Sequence, residues 1–305
     1  MKLRNTAAAA AVVVALAVTA TACGKSGSPD DKAGQSGESS SAKALPSYKV
    51  NTAADVKDSP VFARIKGKKI TIGTKADQPG LGYENPGTKK RSGFDVEIAR
   101  MIAADLGFDE DHITFKSVPS EARETQIASG GVDLYVGTYT INDERKKQVG
   151  FGGPYYIAGQ DLLVKADSSI KSVDDIKGKK VCSATGSSSL KRIKDPKYGA
   201  AEVKAQQGYQ LCVQDLVNGS VDAVTTDDAI LKGYAAENKG LKLTGNLFSK
   251  EPYGVGLNKD DKALREAVDK ALEAHEQNGD WKKAYDATLG LSGAPAPTPP
   301  AVERY

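Results

Sequence analysis

Short apolar runs alternate with amphipathic segments along most of this 305-residue chain. Runs that are rich in β-branched residues and bounded by Gly, Pro or Asn are typical of buried strands. Residues 93–106 and 261–275 instead repeat apolar side chains at helical spacing, as Leu264, Val268 and Leu272 do in the second segment. This alternation predicts an α/β fold. The predicted strands are residues 68–74, 113–118, 132–136, 158–166, 181–182, a run beginning at Ser220, 242–248 and 252–257.

Residues 130–156 contain the first candidate binding site. A predicted strand ends in small and hydroxyl-bearing residues that include Thr140, and Asn142 then caps a helix whose first turn is acidic and contains Arg145. Exposed N–H groups, a hydroxyl and a forked guanidinium are the donors that grip a carboxylate. On local sequence alone, an equal alternative is that Arg145 only forms a salt bridge to Asp143 or Glu144 on a solvated helix.

Residues 217–228 repeat the same outline, with a turn, a Val-Asp pair, an apolar strand and then hydroxyls. The first strand ends near a cation, Arg145, and this one ends near an anion, Asp227 or Asp228. Ligands of open α/β sheets bind beyond the carboxyl ends of the strands. Opposite charges at two such ends suit a zwitterion, whose carboxylate would face one unit and whose ammonium would face the other.

The run TYTINDERKK, residues 138–147, with the following FGGPYY, residues 151–156, resembles a family signature. It is similar to the polar amino-acid solute-binding proteins of ABC importers, in the glutamate, glutamine and aspartate branch. The resemblance extends over residues 65–289. It implies the type II periplasmic-binding-protein fold, in which two α/β lobes are joined by two crossing strands and close on a ligand by a hinge motion.

The resemblance implies domain bounds and ligand contacts. Lobe 1 would comprise residues 59–157 and 251–292, lobe 2 residues 158–250, and residues 293–305 would be a Pro-rich extended tail. The implied partners are an amino acid and the permease subunits of an importer. Nothing in the sequence demands a dimer, so we expect a monomer, and we expect no cofactor. The implied contacts are the Thr138 backbone, Thr140 and Arg145 for the α-carboxylate, Asp227 for the α-ammonium, and Thr185, Ser187 and Ser188 as donors from lobe 2.

Lys75 is the residue from which we predict the substrate. Glutamine binders of this family have an acid at the end of the first strand, and this chain has a lysine there. An ammonium suits a ligand carboxylate and leaves a neutral amide poorly matched, which favours glutamate or aspartate over glutamine. The alternatives are that Lys75 is an exposed loop lysine, or that Arg91, Arg123 or Arg192 provides the cation.

Residues 1–22 have the pattern of a secretory signal peptide, with Lys2 and Arg4 before an apolar run. Cys23 follows small residues and resembles a lipoprotein cleavage site, although Ala20 replaces the usual Leu; ordinary cleavage near Ala22 is the alternative. Residues 23–58 are then expected to form a lipid-anchored flexible linker. The expected location is the outer face of the cytoplasmic membrane.

Composition narrows the remaining possibilities. The net charge of +3 is spread over charges of both signs, with no basic run that would indicate nucleic-acid binding. In an exported protein, Cys182 and Cys212 are expected to form a disulfide, with two separate buried thiols as the alternative. No spacing of metal ligands occurs. The competing function is an exported dehydratase on the same fold. Neither His112 nor His275 is paired with a Ser, Cys or carboxylate at a spacing typical of catalysis. We therefore predict a binding protein and not an enzyme.

Overall fold

The computed structural model describes residues 45–304. The predicted signal peptide, the predicted lipidation site at Cys23 and most of the predicted linker lie outside these residues. The helices are α1 (Pro60–Ile65), α2 (Phe94–Asp105), α3 (Arg123–Ala128), α4 (Asp143–Lys146), α5 (Ser188–Ile193), α6 (Tyr209–Val217), α7 (Asp228–Glu237), α8 (Lys262–Gln277) and α9 (Asp280–Ala287). The strands are β1 (Ile70–Thr74), β2 (Asp77–Gln78), β3 (Gly82–Glu84), β4 (Arg91–Ser92), β5 (Ile113–Ser117), β6 (Leu134–Tyr135), β7 (Gly150–Ala158), β8 (Gln160–Lys165), β9 (Lys180–Ala184), β10 (Glu202–Gln206), β11 (Ala223–Asp227), β12 (Leu241–Leu243) and β13 (Glu251–Leu257).

Each lobe is built on its own mixed sheet. The order is β5-β1-β6-β13-β7 in lobe 1 and β10-β9-β11-β8-β12 in lobe 2, and β2, β3 and β4 form a small separate sheet. In each large sheet the first strands pair in parallel, and antiparallel strands complete the far side. Parallel strands that are covered on both faces need apolar side chains on both faces, which explains the continuous apolar runs in the sequence.

Two adjacent strands carry the chain between the lobes. β7 leads directly through Gly159 into β8, and β13 returns beside it, with Glu251 paired to Ala158. The carboxylate of Asp228 accepts a hydrogen bond from the Gly159 N–H at 3.1 Å, which fixes the crossing to lobe 2. The predicted two-lobed fold with a two-strand hinge is confirmed.

Both ends of the described chain lie against lobe 1. The sequence predicted a free linker up to residue 58, but the Asn51 N–H donates to the Ala104 carbonyl at 2.9 Å, and Tyr48 donates its hydroxyl to Glu97 at 2.9 Å. The tail, predicted as extended, returns to α8 and β7. There Arg304 forms ion pairs with Glu266 and Glu273.

The predicted disulfide between Cys182 and Cys212 is present and joins β9 to α6 within lobe 2. Both residues are fully buried. Within residues 45–304, the helices are too short or too polar to span a bilayer. No cluster of His, Cys, Asp or Glu in the same residues is arranged to hold a metal ion.

Candidate functional site

Arg145 lies at the interface between the lobes. The Asn142 side chain caps α4 by accepting from the Arg145 N–H at 2.9 Å, as the sequence predicted. The guanidinium is 7% exposed and donates to the carbonyls of Thr140 at 2.7 Å and Gly186, in lobe 2, at 3.3 Å. Its acidic partner in the described chain is Glu124, at 3.3 Å, and not a neighbouring acid of α4. Arg145 is therefore a buried cation of the cleft.

A second guanidinium, that of Arg123, lies beside it. The two cations stack on the ring of Tyr139, with Arg123 at 4.3 Å and Arg145 at 4.9 Å from the ring centre. Arg123 also donates to the carbonyl of Gly186, at 3.1 Å. Burial first, and then the neighbouring Arg123, lower the pKa of Arg145 to about 10. The two guanidinium groups thus share one aromatic ring and one acid, since Glu124 is 3.7 Å from Arg123 and 3.3 Å from Arg145.

The two predicted threonines lie on the segment that follows β6. Both are buried, at 6% exposure for Thr138 and 7% for Thr140. The Thr138 N–H donates to the buried carboxylate of Asp95 at 2.9 Å, so this N–H is already engaged. Asp95 is also held by the Tyr155 hydroxyl at 2.7 Å. This network fixes the backbone of the segment, and the Thr138 hydroxyl is engaged as well, since it donates to Gln78 at 3.2 Å.

Lys75, directly after β1, is 6% exposed and donates to the Ser120 hydroxyl at 2.6 Å. The alternative that it is an exposed loop lysine is wrong. It lines a cavity of about 270 Å³ between the lobes, together with Asp77, Gln78 and Tyr209. Burial, followed by the charge of Arg123, lowers the pKa of Lys75 to about 7.

The other candidate cations have different positions. Arg91 pairs with Glu84 at 2.7 Å, and Arg192 pairs with Glu251 at 2.7 Å near the hinge. Arg123 alone of the three shares the cleft with Lys75 and Arg145.

Asp227, at the end of β11, is 4% exposed. It accepts from the hydroxyl of Tyr253, on the return strand β13, at 2.7 Å, and from Ser189 at 3.4 Å. Burial first, and then the charge of Glu251, raise the pKa of Asp227 to about 7. Asp228 instead pairs with Lys232 at 2.6 Å and holds the hinge. The geometry thus separates the two acids between which the sequence left a choice.

The hydroxyl-rich stretch after β9 has mixed roles. Ser187 caps α5 by accepting from the Leu190 N–H at 2.9 Å. The Ser188 hydroxyl is buried and has no hydrogen-bond partner in the described chain. The Thr185 N–H is engaged by the Gln206 carbonyl at 2.7 Å. The cap uses the Ser187 hydroxyl only as an acceptor, so the hydroxyls of Thr185, Ser187 and Ser188 all remain candidate donors from this stretch.

Gln78 is a site residue that sequence reasoning missed. Its side chain is fully buried, and its Oε1 accepts from the Thr138 hydroxyl at 3.2 Å. Its Nε2 has no hydrogen-bond partner in residues 45–304. A buried amide donor beside a cavity is normally satisfied by some group, so this nitrogen is available to a ligand acceptor. The signal in the sequence was its place in the Gly/Pro-rich loop after the first strand.

Buried groups of both charges lie along the interface between the lobes. Lobe 1 contributes the basic residues Lys75, Arg123 and Arg145 together with the acids Asp95 and Glu124, and lobe 2 contributes Asp227. Such an arrangement suits a ligand that carries groups of both charges.

Comparison with known proteins shows the family. Residues 70–290 match the bacterial extracellular solute-binding proteins, family 3. The chain is 39% identical over 242 residues to the glutamate-binding protein GluB of Corynebacterium efficiens, a match that covers 75% of this chain and 82% of that protein. It is 38% identical over 265 residues to the ABC transporter glutamine-binding protein GlnH of Bacillus subtilis, with 87% and 89% covered.

A solved structure shows the same fold. The structure of an ancestral arginine-binding protein bound to glutamine aligns with a TM-score of 0.68 and 37% identity, over 73% of this chain and 98% of that one. The relatives named above are transport binding proteins and not enzymes. This chain therefore belongs to family 3 of the bacterial extracellular solute-binding proteins, as an extracytoplasmic amino-acid-binding component of an ABC transporter.

Proposed function

We propose that this protein binds an acidic amino acid, L-glutamate before L-aspartate, and presents it to its importer by closing the two lobes. The observation that carries the proposal is the burial of Lys75, whose ammonium lines the cavity between the lobes. Burial lowers the pKa of Lys75 to about 7, so an anionic partner would stabilise its charged form, and a ligand carboxylate is such a partner.

The α-amino and α-carboxylate groups of the ligand would occupy the opposite end of the cleft. Arg145 would take the carboxylate, with Thr140 beside it, and Asp227 would take the ammonium. The Arg145 bond to Gly186 joins the two lobes, so opening the lobes would free that donor for the ligand. Thr138 would contribute a donor once its N–H leaves Asp95 or its hydroxyl leaves Gln78. The Thr185, Ser187 and Ser188 hydroxyls would add donors on closure.

The side-chain carboxylate would then point toward Lys75, with the Gln78 amide as a second donor. Glutamine would place a neutral amide there, which does not stabilise the charged form of Lys75. A charge-assisted hydrogen bond contributes about 1.5–3 kcal/mol, or roughly 10–150-fold in affinity. The positive potential from Arg123 adds to the preference for an acid.

Delivery would follow from closure. The ligand drives closure only by its greater affinity for the closed state, which is where both lobes contact it. Lipid on Cys23 would hold the protein at the outer face of the cytoplasmic membrane near the permease. The relatives named as binders of glutamate and of glutamine support the amino-acid class equally.

The test compares Lys75→Met with Lys69→Met, which removes the same charge from an exposed lysine of the same lobe. Calorimetric titration with L-glutamate and with L-glutamine measures both affinities. We expect Lys75→Met to weaken glutamate binding at least tenfold and to leave glutamine binding unchanged or stronger. Equal glutamate affinity in the two variants would overturn the role of Lys75.

A further inference from the structure

A short loop of lobe 1, residues 77–79, is held between two helices of lobe 2. The N–H of Tyr209, the first residue of α6, donates to Asp77 Oδ2 at 3.1 Å. The hydroxyl of Tyr234 in α7 donates to the Asp77 carbonyl. Both tyrosines are only 4% exposed. The 77–79 loop is therefore the segment of lobe 1 that α6 and α7 of lobe 2 contact beside the cavity.

The contact between α7 and Pro79 requires a glycine at position 233. Gly233 lies inside α7, and a Cβ at this position would be 2.2 Å from the carbonyl oxygen of Pro79 and 3.1 Å from its carbonyl carbon. These neighbours are backbone atoms that cannot turn aside. Alanine at position 233 is therefore incompatible with the observed approach of the lobes.

Gly233 also has a local cost. A glycine in a helix interior is less stable than alanine by about 0.5–1 kcal/mol. The observed contact with Pro79 gives a reason for glycine here that the helix itself does not. Gly208, before α6, is a second close approach, because a Cβ there would be 2.7 Å from Asp77 Oδ2.

The same loop reaches the candidate binding site. Gln78, between the two gripped residues, directs its buried amide toward Thr138, and Lys75 precedes the loop by two residues. Ligand contacts and lobe contacts are thus only a few residues apart. Movement of the 77–79 loop would therefore change both the ligand contacts and the contacts between the lobes.

We propose that the 77–79 loop is a latch that couples the bound amino acid to closure of the lobes, and that Gly233 is the residue that lets the latch engage. The proposal rests on the proposed function in one respect, namely that binding is accompanied by closure. Gly233 touches no proposed ligand contact, so its role is to position the lobes.

The test uses Gly233→Ala and the matched control Gly240→Ala. Gly240 is also in lobe 2, and a Cβ there would have nothing within 4 Å. Calorimetry measures the affinity for L-glutamate, and small-angle X-ray scattering measures the radius of gyration with and without it. We expect wild type and Gly240→Ala to contract on binding. Gly233→Ala should bind at least tenfold more weakly and stay expanded at a glutamate concentration that saturates wild type.

The thermal midpoint without added amino acid separates a latch from a permanent interface. Alanine favours the helix, so a Gly233→Ala protein that is open without ligand should melt no lower than wild type. A marked fall in that midpoint would mean that α7 and Pro79 are packed together at all times, and it would overturn the latch. Affinity and contraction equal to those of Gly240→Ala would overturn it as well.

A second variant and a ligand panel keep the test decisive. Tyr234→Phe removes only the hydroxyl that reaches Asp77, and we expect a several-fold weaker affinity with an unchanged fold; affinity equal to wild type would contradict the latch. If wild type ignores glutamate but binds aspartate, glutamine or arginine, the substrate proposal fails. The same comparison with that amino acid then still decides whether the latch exists.

Discussion

Glutamate binding is expected to take up protons above pH 7 and to release protons below pH 7. Burial brings the pKa of both Lys75 and Asp227 to about 7. A bound carboxylate favours the charged form of Lys75 and raises its pKa, and a bound ammonium favours the charged form of Asp227 and lowers its pKa. Lys75 then takes up a proton on binding, and Asp227 releases one.

The number of protons exchanged follows from the pKa values of Lys75 and Asp227. At pH 8, about nine-tenths of Lys75 is neutral before binding and only about one-tenth of Asp227 is protonated, so binding takes up a net of about 0.8 proton. At pH 6 the fractions are reversed, and binding releases about 0.8 proton. The Lys75 contribution to affinity is complete below pH 7 and is lost as pH rises toward its bound-state pKa. The Asp227 contribution is complete above pH 7 and is lost as pH falls toward its bound-state pKa. Affinity should therefore peak near pH 7.

The assay is titration calorimetry in two buffers of different ionisation enthalpy, at pH 6 and again at pH 8. The dependence of the binding enthalpy on buffer gives the number of protons exchanged. Lys75→Met is the control, since it should lose the uptake at pH 8 and keep the release at pH 6. Proton exchange of the same sign at both pH values, or none at either, would refute the assignment of these two groups to the ligand.

Three further predictions concern the proposed carboxylate contact of Arg145, the disulfide and the C-terminal tail. Arg145→Lys removes the guanidinium fork and should weaken glutamate binding by about 2 kcal/mol or more, roughly 30-fold, in calorimetric titration; an unchanged affinity would exclude a clamp role. Replacing Cys182 and Cys212 by serine should lower the free energy of unfolding in urea by about 3–4 kcal/mol, because the bridge closes a loop with a sequence separation of 30. Deleting residues 294–305, which include Arg304, should lower the thermal midpoint by about 2–4 °C and leave glutamate affinity unchanged; weaker binding would mean that the tail acts on the cleft.

Much of the fold, and the local structure around Arg145, was predictable from the sequence. Helix capping by Asn142 and the periodic pattern of α8 are local signals, and both are present. The disulfide was predictable because an exported chain with a cysteine pair in one lobe favours pairing. These features depend on residues close in sequence or on a compartment rule.

Long-range packing was not predictable in the same way. The burial of Lys75 depends on Ser120 and on lobe 2 residues such as Tyr209, far along the chain. The docking of the tail depends on Glu273 and on the Gly153 carbonyl, which accepts from the Glu303 N–H at 2.9 Å. No local pattern of apolar and polar residues encodes such contacts, so proline-rich and polar segments resembled free chain.

The choice of substrate is tested most directly by ligand competition on the unaltered protein. The protein from Gly24 onward, refolded to remove carried-over ligand, would be titrated with L-glutamate, L-aspartate, L-glutamine and L-arginine. The account predicts that glutamate binds at least tenfold more tightly than glutamine, and that arginine binds weakly or not at all. Tighter binding of glutamine or arginine than of glutamate would contradict it.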